Sequence, residues 1–596
     1  MLSVTISIPR GEATPESTPP YVHETERNGV RVRATVKPQY SFYAEFGDII
    51  VVGESLVPMG SARLARIERI VSGSFSCESS GDDFLLSLVV IDTLRKEVTL
   101  SNAVMSMRPY FFHVSPNCIS VASTFSDLRS ADVPMSVDES KLPEFYLYRF
   151  VSPPYTLVKG VHKLVGGQTV SFNVQSGART RDDFSQSMHR TSSEVHDPSF
   201  YLERTEKALS AVIHNTLQSY KRPMVLLSGG TDSSLLATMA LKLDSRVKSC
   251  STSFSFADKE DMEESYALSF ADQIGIRHTI YRPTAEEYLA GVVESIAAAE
   301  EPLHHLQSVL LFLLSKNFGN GEADVLFNGL FSDGLFGDEV HHAYWKHRHA
   351  IAFLKATWLA APLRRAYRLS GLKSRRLHFL TNDFRQVPSS SRHLLHGIGQ
   401  YGDITLIKQL FGGSDETIFA SRMSILSKYE NYSILDKLTV INGLILSSYT
   451  GGLWGRLAEV SGNVEAFPFA AKSVIDSVVD TPWPIRMVEP KRFVRELLRK
   501  YGIPDSLITR PKKSFGFPYQ YWSLPHTLFQ PLVDMAADTY DRALLSRLQT
   551  GEPRHAMILW NMINFHLWKQ IVIDQKNSKD LATEAISRYR TLPRPR

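Results

Sequence analysis

The residues best placed to do chemistry lie in "RPMVLLSGGTDSSLLATMA", residues 222–240. Four apolar residues ending at Leu227 run into Ser228, Gly229 and Gly230. Thr231, Asp232, Ser233 and Ser234 follow, and then an Ala-rich apolar run. Glycines at the end of a strand let backbone N–H groups turn inward as an anion-binding nest, and the helix that follows adds its positive N-terminus. Hydroxyls of Ser228, Ser233 and Ser234 suit phosphate oxygens. A bare phosphate would be repelled by Asp232, so this carboxylate implies an intervening Mg2+. A plain Gly-Gly turn with a capped helix explains the same letters. Its place after the first strand of a strand–helix series favours phosphate binding. No G-x-x-x-x-G-K-[ST] and no G-x-G-x-x-G is present, so neither of the two other common phosphate loops applies.

These residues need a scaffold to hold them. With 596 residues the chain is too long for one ordinary core, and two or more domains are expected. Hydrophobic residues make up 43% and charged residues 21%, as in an ordinary globular protein, and a net charge of +4 is too small to imply nucleic acid. The three cysteines, Cys77, Cys118 and Cys250, are scattered, so neither a disulfide framework nor a zinc site is expected and a cytoplasmic location fits. No apolar run approaches a membrane span, and residues 1–9 carry no basic segment followed by an apolar core.

Up to residue 174 or so the pattern is β-rich, with strands expected at residues 48–55, 84–93, 110–115 and 118–123 and within 164–174. Residues 175–198 are polar and without apolar period, which reads as a linker. Strands and helices then alternate: strands near 224–227, 247–256, 278–283 and 324–329, and a helix at 262–274 closed by Gly275. Alternation of this kind predicts a parallel, doubly wound sheet, with ligands beyond the carboxyl ends of its strands. Beyond Ala343 the chain reads as mostly helical, and residues 577–596 as a flexible basic tail.

"LSGGTDSS" resembles the pyrophosphate loop of the N-type ATP pyrophosphatases, which cleave ATP between its α- and β-phosphates. Five further segments occur in the order of the asparagine synthetase superfamily. They are "DMEESYALSFADQIGIRH" (261–278), "AEEPLHHLQSVLLFLLSK" (299–316), "LFNGLFSDGLFGD" (326–338), "GNVEAFPF" (462–469) and "IPDSLITRPKKSFGFPYQYW" (503–522). Residues 71–112 and 150–172 resemble that family's N-terminal nucleophile glutaminase domain. The resemblance implies a degenerate glutaminase-like β-sandwich over 1–176, a linker over 177–200, and an α/β ATP-pyrophosphatase domain with a large helical part over 201–576.

It also implies roles. Asp232 and Asp333 hold Mg2+ between two loops, with Gly329 and Ser332 in the second. ATP is gripped by residues 227–230 and 232–234, and Ser253 lies on the strand that borders the adenine. Lys512, beside Lys513, matches the lysine of the family's Arg-x-Lys motif and would stabilise charge at the α-phosphate and the tetrahedral intermediate. Glu465 matches a family glutamate that could take the amine's proton or orient the amine, and Glu264 an acidic position after the second strand.

One departure decides the expected reaction. A working glutaminase of this type needs Cys as its first mature residue, and Leu2 stands here. Glutamine hydrolysis is therefore not expected, and the nucleophile becomes an amine on a substrate. β-Lactam synthetases and lasso-peptide cyclases show the same loss. Leu330 occupies the place of the Tyr of β-lactam synthetases and the Glu of asparagine synthetases, which favours the peptide cyclases. Arg456 and Leu457 replace the family's Asp-Arg pair, so substrate recognition differs from asparagine synthetase.

The expectation is an AMP-forming amide ligase acting on a peptide or amino-acid-derived substrate, with a peptidase or precursor-recognition protein as partner. A β-lactam synthetase or an ammonia-using synthetase is the alternative, and an inactive nucleotide-binding scaffold the alternative from another class. "HHAYWKHRH" (341–349) lacks the residues that complete a zinc site. The basic stretch 363–376 reads as a solvated helix face, with contact to an acidic peptide or a partner protein as the alternative.

Overall fold

The computed structural model describes residues 2–7, 22–36, 41–57, 59–71, 83–105, 107–184, 188, 190, 192–253, 262–319, 321–350, 365–366, 394–395, 400–509 and 519–593. Its first part is built from strands whose side chains alternate between two faces. These are β1 (Leu2–Ser7), β2 (Val22–Arg27), β3 (Val30–Val36), β4 (Ser41–Phe46), β5 (Ile49–Ser55) and β6 (Leu85–Asp92). They continue with β7 (Glu97–Asn102), β8 (Phe111–Ser115), β9 (Cys118–Ala122), β10 (His162–Lys163), β11 (Gln168–Asn173) and β12 (Arg179–Phe184).

They form two six-stranded sheets, ordered β10-β8-β9-β1-β3-β2 and β12-β11-β7-β6-β5-β4. Every pairing is antiparallel. Val4, Ile6, Val32, Ile50, Val52, Val89 and Ile91 are fully buried in the core between the sheets. Val51, Leu88 and Val90, one residue out of phase, are buried on the opposite face against Ile67 and Val71 of helix Ser61–Val71. A period of two with both faces covered is why these strands carry nearly unbroken apolar runs.

The expected linker contains structure. Strand β12 pairs with β11, Gln168 opposite Phe184, and helix Pro198–Ser219 begins at Pro198. The polar letters of β12 misled because an edge strand is held by its backbone ladder, and four of its six side chains are exposed.

A third sheet is parallel throughout: β13 (Pro223–Leu226), β14 (Lys248–Thr252), β15 (His278–Tyr281), β16 (Val325–Phe327) and β17 (Val464–Ala466), in the order β15-β14-β13-β16-β17. The direction of winding reverses between β13 and β16. That switch point opens a crevice beyond their carboxyl ends, where ligands bind in such sheets. Strand β17 escaped the sequence reading; at three residues it is too short to show a period.

The tail also differs from expectation. Residues 578–590 form helix Ser578–Arg590, capped by Asn577, with Leu581, Ala582 and Ala585 buried on one face. Arg590 Nη2 pairs with Glu286 Oε2 at 2.6 Å. That face packs against helix Ala285–Ala299. Among the described residues no helix is long and apolar enough to cross a membrane.

Candidate functional site

Strand β13 ends at Leu226, and helix Thr231–Leu243 starts after Gly230, so residues 227–230 make the turn. Gly229 has φ +69°, and a Cβ there would lie 2.7 Å from the carbonyl carbon of Tyr266 in helix Met262–Ile274. Only glycine meets both demands. The hydroxyls tie the loop together: Ser228 Oγ and Ser233 Oγ are 3.1 Å apart, and Ser233 Oγ donates to the Gly230 carbonyl at 3.1 Å.

The second loop follows β16. A Cβ on Gly329 would lie 3.2 Å from Asp232 Cβ, so the two loops touch because residue 329 has no side chain. Phe331, in the left-handed region at φ +78°, turns the chain into helix Ser332–Phe336. Ser332 Oγ donates to Asp232 Oδ1 at 2.6 Å.

The contact brings together the two carboxylates. Lys491 Nζ lies 2.5 Å from Asp232 Oδ2 and 2.6 Å from Asp333 Oδ1. Burial alone would lower the Lys491 pKa, but the two carboxylates outweigh it and hold it above the ordinary lysine value. Lys491 was not anticipated. It follows Pro490 at the start of the basic helix Arg492–Lys500, where a lysine reads as surface.

Around these groups lies a cleft of about 640 Å³. Leu227, Ser228, Gly230, Asp232, Ser233, Gly329 and Asp333 of the expected set line it. So do Ser251 and Thr252 of β14, together with Asn328, Trp454 and Arg495.

Gly229, Ser234, Ser253 and Ser332 of the expected set do not line the cleft. Ser234 Oγ is buried and makes no hydrogen bond, because the second residue of the Ser-Ser pair turns into the helix core. Ser253 is buried and bonded to Glu264, which also pairs with Arg282; the strand's cleft residues are its three predecessors, Cys250, Ser251 and Thr252. Ser332 is buried as well and acts through Asp232. Lys512 lies outside the described residues, as does Lys513.

Glu465 sits on β17 opposite Leu326 and is only 5% exposed. Burial raises its pKa from 4.5 to about 8, partly offset by a hydrogen bond that Asn328 Nδ2 donates to Oε1. Asn328 lines the cleft, so this carboxyl stands one side chain behind it. On its other side Glu465 borders a small cavity of about 50 Å³ with Met105, Met107 and Arg108 of the double-sheet region.

His341 is buried, its Nδ1 2.8 Å from Asp338 Oδ1, and no group of three or more His, Cys, Asp or Glu suited to a metal occurs among the described residues. The stretch 363–376 lies outside the described residues except for 365–366.

Hydroxyls, glycines and two carboxylates around one ammonium stand at the switch point of a parallel sheet, the place where ligands bind in α/β proteins. The family model described as asparagine synthase matches residues 204–570, and the chain belongs to the asparagine synthetase superfamily. A Mycobacterium tuberculosis protein described as a glutamine-hydrolysing asparagine synthetase is 21% identical over 539 residues, covering 82% of this chain and 77% of that one. Asparagine synthetase (glutamine-hydrolysing) 1 of Bacillus subtilis is 20% identical over 504 residues, covering 79% and 74%. Among solved structures, the glutamine-dependent NAD+ synthetase of Acinetobacter baumannii aligns over 70% of this chain and 60% of that one at 13% identity. Its TM-score is 0.16.

Proposed function

We propose that the protein is an ATP-dependent, AMP-forming amide ligase that joins a carboxylate to an amine of its substrate without hydrolysing glutamine. The observation that carries this reading is the contact of the two strand-end loops, which sets Asp232 and Asp333 around one cation at the switch point. Two carboxylates with hard oxygen donors suit Mg2+, which takes few protein ligands and completes its shell with water and phosphate oxygens. When bound there, Mg2+ would neutralise charge on the polyphosphate.

The chain's own groups account for the rest. The N–H groups and hydroxyls of residues 228–233 grip the two outer phosphates. A substrate carboxylate oxygen attacks the α-phosphorus, the bond from the α-phosphorus to the bridging oxygen breaks, and pyrophosphate leaves. Lys512 steadies the charge at the α-phosphate. The amine nitrogen then attacks the acyl carbon, AMP leaves with the electron pair of the carbon–oxygen bond, and Glu465 receives the amine's proton. Asn328 keeps that carboxyl oriented.

The double-sheet region of residues 2–184 is read as a glutaminase-like domain, and its first strand, "LSVTIS", carries no cysteine. A ligase without an ammonia source takes its amine from the substrate. Leu330, partly buried against the core, supplies no hydroxyl to pair with Glu465, in keeping with lasso-peptide macrolactam closure over β-lactam formation. The substrate class is then a peptide, with a peptidase or precursor-recognition protein as partner. ATP–pyrophosphate exchange, screened against candidate peptides and amino acids, tests the reading. AMP and pyrophosphate are the expected products, and release of ADP, or of glutamate from glutamine, overturns it.

A further inference from the structure

Lys491 is built into the cation position itself. Its backbone is fixed: φ is +53°, its N–H donates to the Gly337 carbonyl at 2.9 Å, and it caps helix Arg492–Lys500. Its ammonium lies 2.5 and 2.6 Å from one oxygen each of Asp232 and Asp333. The other oxygen of Asp232 is taken by Ser332 at 2.6 Å. A divalent ion held by both carboxylates would compete for the oxygens on which the ammonium sits. Two cations that close in a cleft only partly open to water repel strongly, so occupancy is exclusive. The lysine stem, on its fixed backbone, has rotatable bonds enough to swing the ammonium away. Its alternative partner is on the same cleft wall, where the hydroxyls and N–H groups of residues 228–233 would hold an anion beside it.

We propose that Lys491 is a gate on the metal site: its ammonium competes with free divalent cations for Asp232 and Asp333, and moves onto the polyphosphate when nucleotide binds. Metal and nucleotide therefore enter together, and the carboxylates do not trap Mg2+ alone. A plain structural ion pair is the simpler account of the same contacts. It predicts no coupling between nucleotide and metal. This inference rests on the reading that Asp232 and Asp333 are the metal ligands, and the experiment separates the two.

Mn2+ binding to the full chain is measured by electron paramagnetic resonance, with and without saturating α,β-methylene-ATP. Wild-type protein is expected to bind Mn2+ weakly alone. Lys491→Met, which removes the charge and keeps the length, should bind it at least about tenfold tighter without nucleotide, a shift of ~1.4 kcal/mol. Lys491→Gln should do the same and serves if the methionine variant folds poorly. Equal nucleotide-free affinity in wild type and in both variants, or the same nucleotide-dependent gain in all three, overturns the gate. Asp333→Asn in the Lys491→Met background should abolish the tight site. If that double variant keeps it, the carboxylates are not the ligands, and the metal-site reading falls instead.

Discussion

Replacing Glu465 with Gln separates two consequences of one buried carboxyl. An acid whose pKa is raised by folding keeps its proton in the native state after the unfolded chain has released it. Below about pH 4.5 both states are protonated, and the group has no pH linkage. From there to about pH 8 the unfolded chain binds fewer protons, so folding stability falls by ~1.4 kcal/mol per pH unit. Over the roughly 3.5 units between the two values this reaches about 5 kcal/mol, and above pH 8 it stays constant. Glutamine cannot ionise, and its carbonyl still accepts from Asn328. The stability of Glu465→Gln relative to wild type should therefore climb steadily from pH 5 to pH 8, as read by urea unfolding at each pH. Activity should move the other way. ATP–pyrophosphate exchange, which needs no base, should survive, while amide formation should fall by about a hundredfold or more. Wild-type amide formation should rise nearly tenfold per pH unit up to about pH 8. A relative stability that stays flat from pH 5 to pH 8 would refute the raised carboxyl. Equal loss of both half-reactions would refute its role as the base.

Three further outcomes are expected. Gly229→Ala should lose at least about 2 kcal/mol and all nucleotide binding, because a left-handed backbone and a 2.7 Å approach to Tyr266 both oppose a methyl group. Gly275→Ala, at φ +70° with nothing within 4 Å, isolates the backbone part of that loss; equal losses in the two would mean the close approach is harmless. Ser332→Ala removes the 2.6 Å bond to Asp232, and the KM for MgATP should rise roughly tenfold, as the loss of a charge-assisted hydrogen bond of ~1.5 kcal/mol implies. An unchanged KM would leave Asp232 positioned by other means. Leu581→Ala, at 5% exposure, should cost about 2 kcal/mol in urea unfolding, whereas a frayed tail would give no effect.

The loop at residues 227–234 was legible because its chemistry is local. Glycines, hydroxyls and a carboxylate between a strand and a helix constrain one another within eight residues, and the parallel sheet followed from alternating periods. Polar edges and short elements were not legible: β12 and β17 are held by backbone ladders whose partners lie elsewhere in the chain. The tail helix depends on a face supplied by helix Ala285–Ala299.

Site residues divide the same way. The sequence alone determined which carboxylates and hydroxyls stand at the strand ends, since a residue's type and its neighbours along the chain decide that. Only the tertiary structure decided which of them meet. Lys491 reaches Asp232 across 259 positions, and Glu465 is made a weak acid by burial beside Asn328, 137 positions away. Charge coupling and desolvation act through space over a few ångströms, and no pattern of letters encodes a distance between segments so far apart.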